Sequence, residues 1–170
     1  MVALLKFFFE MALLRKAPQD LPASLALLLV LLGINFLLSF YIGLQVFDST
    51  SHALLANWIE LSLSAGLLLT GLVMTDKVQR WQQSYTAVLG LGVFSALLTI
   101  FYRLLADALA IPALASTLDF TVFLWMELAL ANILRHTFDM ALSFGILIVF
   151  IYTMLVLSLV ARWLPAGPAT

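Results

Sequence analysis

The chain has no cysteine, and only 10% of its 170 residues carry a charge. The lack of thiols excludes disulfides, thiolate metal sites and thiol redox couples. The formal net charge of −1 provides no basic stripe for neutralising phosphates, so nucleic acid is excluded as a partner. The sequence also lacks the zinc motif HExxH, the Gly-x-Ser-x-Gly elbow and a Gly-rich phosphate loop. We therefore expect neither an enzyme nor a cofactor.

Apolar residues dominate what is present. They make up 64% of the sequence and give a mean hydropathy of +1.13, which is far above the range of soluble domains. The longest polar run, residues 75–84, is long enough only for a loop. The composition predicts an integral membrane protein with one transmembrane domain over residues 1–170.

Hydropathy predicts an all-α, polytopic helix bundle with five membrane spans. The spans are expected at residues 21–47, 53–75, 85–110, 116–134 and 140–160. The apolar region 120–163 would be about 65 Å long as one helix, roughly twice what a bilayer needs. We therefore place a break at the polar cluster 135–139. Four spans is the alternative, if 116–134 is re-entrant or lies in the interface.

Residues 1–16 are too short and too charged for a span. Phe7, Phe8 and Phe9 lie among cationic residues, which is typical of an interfacial helix at headgroup level. A frayed N-terminus is the alternative. Asp20 is expected to cap the following helix, whose first turn tolerates Pro22. The first span is longer than the apolar region of a signal peptide, so we expect no cleavage.

The distribution of Lys and Arg predicts a cytoplasmic N-terminus and an outer C-terminus. With this orientation the cytoplasmic side carries Lys6, Arg15, Lys16, Lys77, Arg80 and Arg135. Only Arg103 and Arg162 lie near the outer side, and the loops 48–52 and 111–117 face outward without Lys or Arg.

Ionisable residues within spans are costly and mark packed interfaces or polar pathways. Glu60, Arg103 and Glu127 lie at depths that agree to within roughly 6 Å in the predicted topology, so we expect Arg103 to pair with Glu60 or Glu127. Asn57 is one turn from Glu60, and Asp107 is one turn from Arg103. An arginine shared by two carboxylates would favour a protonated or proton-exchanging acid.

Three uses of this cluster remain open at the level of sequence. It is a structural lock between spans two, three and four, or a contact for a partner subunit or lipid headgroup, or part of a transport pathway.

A second polar patch lies near the end of span four. Asn132 and His136 are four residues apart on one helical face, and Arg135 and Asp139 are four apart on another. One His beside one carboxylate is not a metal site, so we expect no metal. Asn132 is interpreted as a link between helices, Arg135 as a marker of the cytoplasmic boundary, and Asn35 as an interhelical hydrogen-bonding group.

Pairs of small residues at a spacing of four permit close helix approach in membranes. Such pairs are Ser62 with Gly66 and Gly92 with Ala96.

Short motifs carry a resemblance to a known group. They are Arg15-Lys16-Ala17-Pro18-Gln19-Asp20-Leu21-Pro22, Asn132-Ile133-Leu134-Arg135-His136, Ser143-Phe144-Gly145 and Trp163-Leu164-Pro165. The chain resembles small bacterial inner-membrane proteins of unknown function and, more remotely, the Yip family, which interacts with Rab-type GTPases. The resemblance implies a bacterial inner membrane and five spans, and it transfers no catalytic residue. The long polar N-terminus of eukaryotic Yip proteins is missing here.

Two functions from different classes follow. The first, which is the expected function because five spans divide poorly into the repeated halves of many transporters, is an accessory or scaffold subunit that packs against itself or another membrane protein. The second is a transporter or channel component that uses Glu60, Arg103 and Glu127. An enzyme acting on lipid is a third, more distant reading.

Overall fold

The computed structural model describes residues 2–164, and over that range it contains helices and no strands. The helices are α1 (Val2–Ala12), α2 (Leu25–Val46), α3 (Thr50–Met74), α4 (Trp81–Ala108), α5 (Pro112–Phe138) and α6 (Leu142–Trp163). Short 3₁₀ turns lie at Pro18–Asp20 and Val78–Arg80. Met1 and residues 165–170, which the predicted domain includes, lie outside the described residues.

The helices α2 to α6 are long and apolar enough to cross a membrane, which confirms the all-α bundle with five apolar helices. Large apolar side chains on their outer surfaces are exposed, as contact with lipid requires. Examples are Leu37, Phe101, Phe144 and Phe150. These features are consistent with an integral membrane protein.

The break between the last two long helices lies later than predicted. The polar residues from Arg135 onward form the last turn of α5, and the chain turns at Asp139, where φ is 56°. The Met140 N–H donates to the Arg135 carbonyl at 3.1 Å and closes the helix end. At its other end α5 begins at Pro112 rather than at residue 116, because proline is well suited to the first turn of a helix.

Four helix ends share one turn geometry in which a non-glycine residue adopts a left-handed conformation. These residues are Leu14, Asp76, Ala110 and Asp139, with φ of 62°, 56°, 54° and 56°. At each of them the next N–H donates to the carbonyl five residues earlier. Such ends stop a helix abruptly and let the chain reverse within a few residues.

The bundle has two ends. The α2–α3 end holds the turns 47–49 and 109–111, and the α3–α4 end holds residues 13–24, 75–80 and 139–141. Ser24 and Ser49 cap α2 and α3, each accepting a backbone N–H at its hydroxyl, at 3.3 and 3.2 Å.

The central helix is α4, which packs against α1, α2, α3 and α5. Small residues on α4 let its neighbours approach, and the ring of Phe8 on α1 lies directly against Gly90. Met11 and Ala12 are fully buried, and Trp125 Nε1 on α5 donates to the Ala12 carbonyl at 2.8 Å. One side of α1 is therefore docked onto α4 and α5, while its level in the membrane stays a prediction.

Candidate functional site

Arg103 pairs with a residue that the sequence analysis did not single out. Its Nε lies 3.2 Å from Oδ1 of Asp119 on α5, and its Nη2 lies 3.0 Å from Oδ2. The Tyr102 hydroxyl donates to the same carboxylate. None of the ion pairs between residues 2 and 164 joins Arg103 to Glu60 or Glu127, so the expected pairing is not formed.

The geometry of the α4–α5 hairpin explains this pairing. Arg103 precedes the turn at 109–111 by about as many residues as Asp119 follows it. Antiparallel helices place such positions side by side, because both rise 1.5 Å per residue. Asp107, which the sequence analysis placed near Arg103, is exposed instead. The equal distances from the turn were the available signal for Asp119.

Glu60 on α3 and Glu127 on α5 line one cavity of about 180 Å³, which we call the acidic cavity. Every helix from α2 to α6 contributes to its wall. Its other polar lining residues are Asn35, Ser64, Ser95 and Tyr152. No Lys or Arg lies among the lining residues. The two acids therefore share this cavity without a basic side chain.

Hydrogen bonds from α6 reach the side chain of Glu127 and the backbone of Glu60. The Thr153 hydroxyl donates to Oε2 of Glu127 at 2.8 Å, and the Tyr152 hydroxyl donates to the backbone carbonyl of Glu60 at 3.2 Å. Glu127 is partly buried, whereas Glu60 is exposed. Neither Tyr152 nor Thr153 could be identified from the sequence, because hydropathy does not determine which face of α6 points inward.

A second cavity of about 220 Å³ lies between α2 and α3, and we call it the side cavity. Glu60 lines it together with Asn57 and Ser39. Asn57 is buried, and its Nδ2 donates to the Phe36 carbonyl at 2.8 Å. Its Oδ1 has no hydrogen-bond partner within residues 2–164. Glu60 is thus common to both cavities.

The second polar patch is built differently from the expectation. Asp139 pairs with Lys77 Nζ at 2.9 Å and with Arg80 Nη1 at 2.8 Å, and the hydrogen bond from Lys77 is the main reason that its pKa is lowered below the ordinary value. Arg80 also donates to the carbonyls of His136 and Thr137, at 3.2 and 3.1 Å. The α3–α4 loop therefore clamps the C-terminal end of α5. Positive charges interact favourably with the helix dipole at that end.

The other members of that patch lie apart from this clamp. Asn132 is buried, and its Nδ2 has no partner within the described range. Arg135 is exposed, and His136 takes part through its backbone carbonyl, which also accepts from Gln19 Nε2 at 2.6 Å. Between residues 2 and 164 no three His, Asp or Glu side chains are grouped closely enough to hold a metal ion.

The two pairs of small residues have different surroundings. A Cβ atom on Gly92 would meet Asn35 Nδ2, and Ala96 is buried, so this pair lies inside the bundle. Asn35 itself donates to the Leu89 carbonyl at 3.3 Å, which is the expected interhelical hydrogen bond. Ser62 and Gly66 are exposed on α3, and no atom lies within 4 Å of a Cβ placed on Gly66.

The comparisons with known proteins add no relative. No protein-family model matches the chain, and no curated protein or solved structure matches it significantly. The resemblance to small inner-membrane proteins and to the Yip family therefore stays a prediction.

Proposed function

We propose that this protein is a non-enzymatic membrane protein that passes a proton or small cation through the acidic cavity, as a small transporter or channel component. The observation that carries the proposal is that Glu60 and Glu127 line the same cavity within the apolar helices. Carboxylates at such depth cost free energy and characteristically mark ion pathways and proton relays.

The alternative use of these carboxylates, a structural lock, needs a counter-ion. Arg103 was the candidate for that role, but its Nε and Nη2 are hydrogen-bonded to Asp119, and it does not line the acidic cavity. No basic side chain lines the acidic cavity to replace it. Two carboxylates within the apolar helices would carry the cost of leaving water without the ionic attraction that offsets it.

Flux through reconstituted protein tests the proposal. Liposomes holding a pH-sensitive dye, with a parallel sodium-loaded set, should show protein-dependent flux. Glu127→Gln removes the partly buried charge while keeping the shape of the side chain, so it should lower the flux on the order of tenfold, the smallest effect typical of a charge that concentrates ions in a cleft. Glu10→Gln on α1 removes a carboxylate outside the cavity and should leave the flux unchanged. Equal flux in both variants would refute the role of the cavity.

Assembly is a second candidate function, and the exposed small-residue face of α3 favours it. Grooves of about 680 and 430 Å³ flank Ser62, the first between α2 and α3 and the second between α3 and α6. We propose a second copy of the chain as the occupant, because a two-fold symmetric dimer packs the same face against itself and a thin face permits close approach.

The oligomeric state tests this second candidate. Gly66→Leu adds bulk where nothing lies within 4 Å, so the monomer should tolerate it while a dimer through α3 is lost. Light scattering in mild detergent should show a dimer for the parent chain and a monomer for this variant. Ala161→Leu, at another exposed small residue on α6, is the matched control and should remain dimeric. A parent chain that is monomeric at all concentrations would rule the role out.

We further propose a bacterial inner membrane with the N-terminus in the cytoplasm. In support, the α3–α4 end carries Lys77 and Arg80 together with the exposed Arg15 and Arg135, as the positive-inside rule expects of a cytoplasmic face.

A further inference from the structure

The side cavity extends from the α2–α3 end of the bundle toward the acidic cavity. Phe47 and Ala53 line it near the turn, and Glu60 lines it at the deeper end. Gly43 makes the narrow seam between the two helices, since a Cβ placed there would lie 3.3 Å from Cβ of Ala53. Because Glu60 also lines the acidic cavity, the two cavities adjoin at this carboxylate.

The orientation of the Asn57 amide is fixed by its neighbour. The Phe36 carbonyl can only accept a hydrogen bond, so the amide group 2.8 Å from it is the NH₂. The oxygen is therefore the end left without a partner, and the residue as a whole is only 4% exposed. A buried polar oxygen without a partner is costly unless something binds it.

The same reasoning assigns the hydroxyl of Ser39. Asn35 Nδ2 donates to the Leu89 carbonyl, which makes Oδ1 of Asn35 the acceptor for Ser39 Oγ at 3.0 Å. The hydroxyl hydrogen of Ser39 is thus already used in a hydrogen bond, and the hydroxyl oxygen can still accept one. Ser39, Asn57 and Glu60, which line the side cavity from two helices, consequently each carry an oxygen that can accept a hydrogen bond.

We infer that the side cavity is the entrance to the acidic cavity and that Glu60, Asn57 and Ser39 bind a small monovalent cation there. Hard cations prefer carboxylate, carbonyl and hydroxyl oxygens, whereas the Glu60 carboxylate would repel an anion. The inference rests on the proposed function, to which it adds the side of entry, the binding residues and the sign of the charge.

Thiol labelling tests it without background, because the chain has no cysteine. Ala56→Cys places a thiol in the side cavity, and Leu55→Cys places one at nearly the same depth on α3 but on its exposed apolar surface. Thr50→Cys, at the start of α3, reports which side of the membrane the α2–α3 end faces. The probes are methanethiosulfonate reagents of similar size, one carrying a trimethylammonium and one a sulfonate.

The cationic reagent should modify Ala56→Cys from the side of the membrane on which Thr50→Cys reacts. It should modify Ala56→Cys at least about tenfold faster than Leu55→Cys, because a thiol facing lipid meets little water. The rate ratio of cationic to anionic reagent should then fall on the order of tenfold when Glu60→Gln is added. Size-exclusion profiles of the variants confirm that the bundle is intact.

Equal rates for Ala56→Cys and Leu55→Cys, or reaction from the opposite side alone, would overturn the inference. So would a reagent ratio that Glu60→Gln leaves unchanged. The outcome is separable from that of the flux assay. If flux depends on Glu127 but labelling is not charge-selective, the proposed function is retained and this entrance is rejected. If labelling is charge-selective but there is no flux, the cation site is retained and the proposed function is rejected.

Discussion

Removing the partner of Arg103 is the sharpest test of the ion pair between α4 and α5. Asp119→Asn keeps the shape of the side chain but leaves the guanidinium facing a neutral amide. It also weakens the acceptor for the Tyr102 hydroxyl. The expected result is a bundle that folds normally and unfolds more easily.

The magnitude follows from the type of contact and its exposure. Hydrogen bonds to charged groups contribute about 1.5–3 kcal/mol to stability. The side chains of Arg103 and Asp119 are 34% and 37% exposed, so solvent screening reduces the effect toward the lower end of that range. We expect a loss of about 1.5 kcal/mol, which corresponds to a fall in Tm of about 3–6 °C for a chain of this size.

Thermal unfolding in mild detergent, followed by circular dichroism, measures this change. Asp107→Asn is the matched control, since it removes an exposed aspartate one turn from Arg103, and it should leave the Tm unchanged. Combining Asp119→Leu with Arg103→Met removes both charges and should recover most of the loss, because no uncompensated charge remains. The reasoning fails if Asp119→Asn costs no more than Asp107→Asn, or if the double variant is less stable than Asp119→Asn.

Two further predictions concern other contacts. Hydrogen bonds from Lys77 and Arg80 lower the pKa of Asp139, so the stability that this carboxylate contributes is present above the ordinary aspartate pKa of about 3.9 and is lost as the pH falls through the lowered value. The difference in Tm between the parent and Asp139→Asn should thus be constant above about pH 5 and become smaller at lower pH. A difference that stays unchanged at low pH would contradict the clamp. A Cβ on Gly145 would lie 2.5 Å from the Ala131 carbonyl oxygen, so Gly145→Ala should cost about 1–3 kcal/mol in unfolding free energy. Gly33→Ala, where nothing lies within 4 Å, should be neutral or stabilising, and equal effects at the two glycines would contradict the close approach of α5 and α6.

The sequence predicted the helices well because their cause is local. Long apolar runs mark α2 to α6, and the chain-reversing turns interrupt those runs. The end of α5 was misplaced because polar residues in a last turn look like a break to hydropathy. What decides that end is the left-handed Asp139 and the clamp from Lys77 and Arg80, which come from a distant loop.

Only the depth of the candidate site residues in the membrane could be predicted from the sequence. Counting residues from the span ends placed Glu60 and Glu127 at one level, and both line the acidic cavity. Depth alone does not determine rotation about the helix axis, and rotation turns Arg103 toward Asp119 instead. Rotation also decides that Thr153 meets Glu127, which a single sequence does not indicate.

The docking of α1 has a consequence for how the protein is made. Its contacts are with residues synthesised much later: Phe8 lies against Gly90, and the Ala12 carbonyl accepts from Trp125, 113 residues further along the chain. At about 5–20 residues per second, that interval lasts roughly 6–23 s. During this time the apolar side of α1 must rest against lipid or the insertion machinery. The helix α1 is therefore synthesised before its partners and can reach its native position only after them.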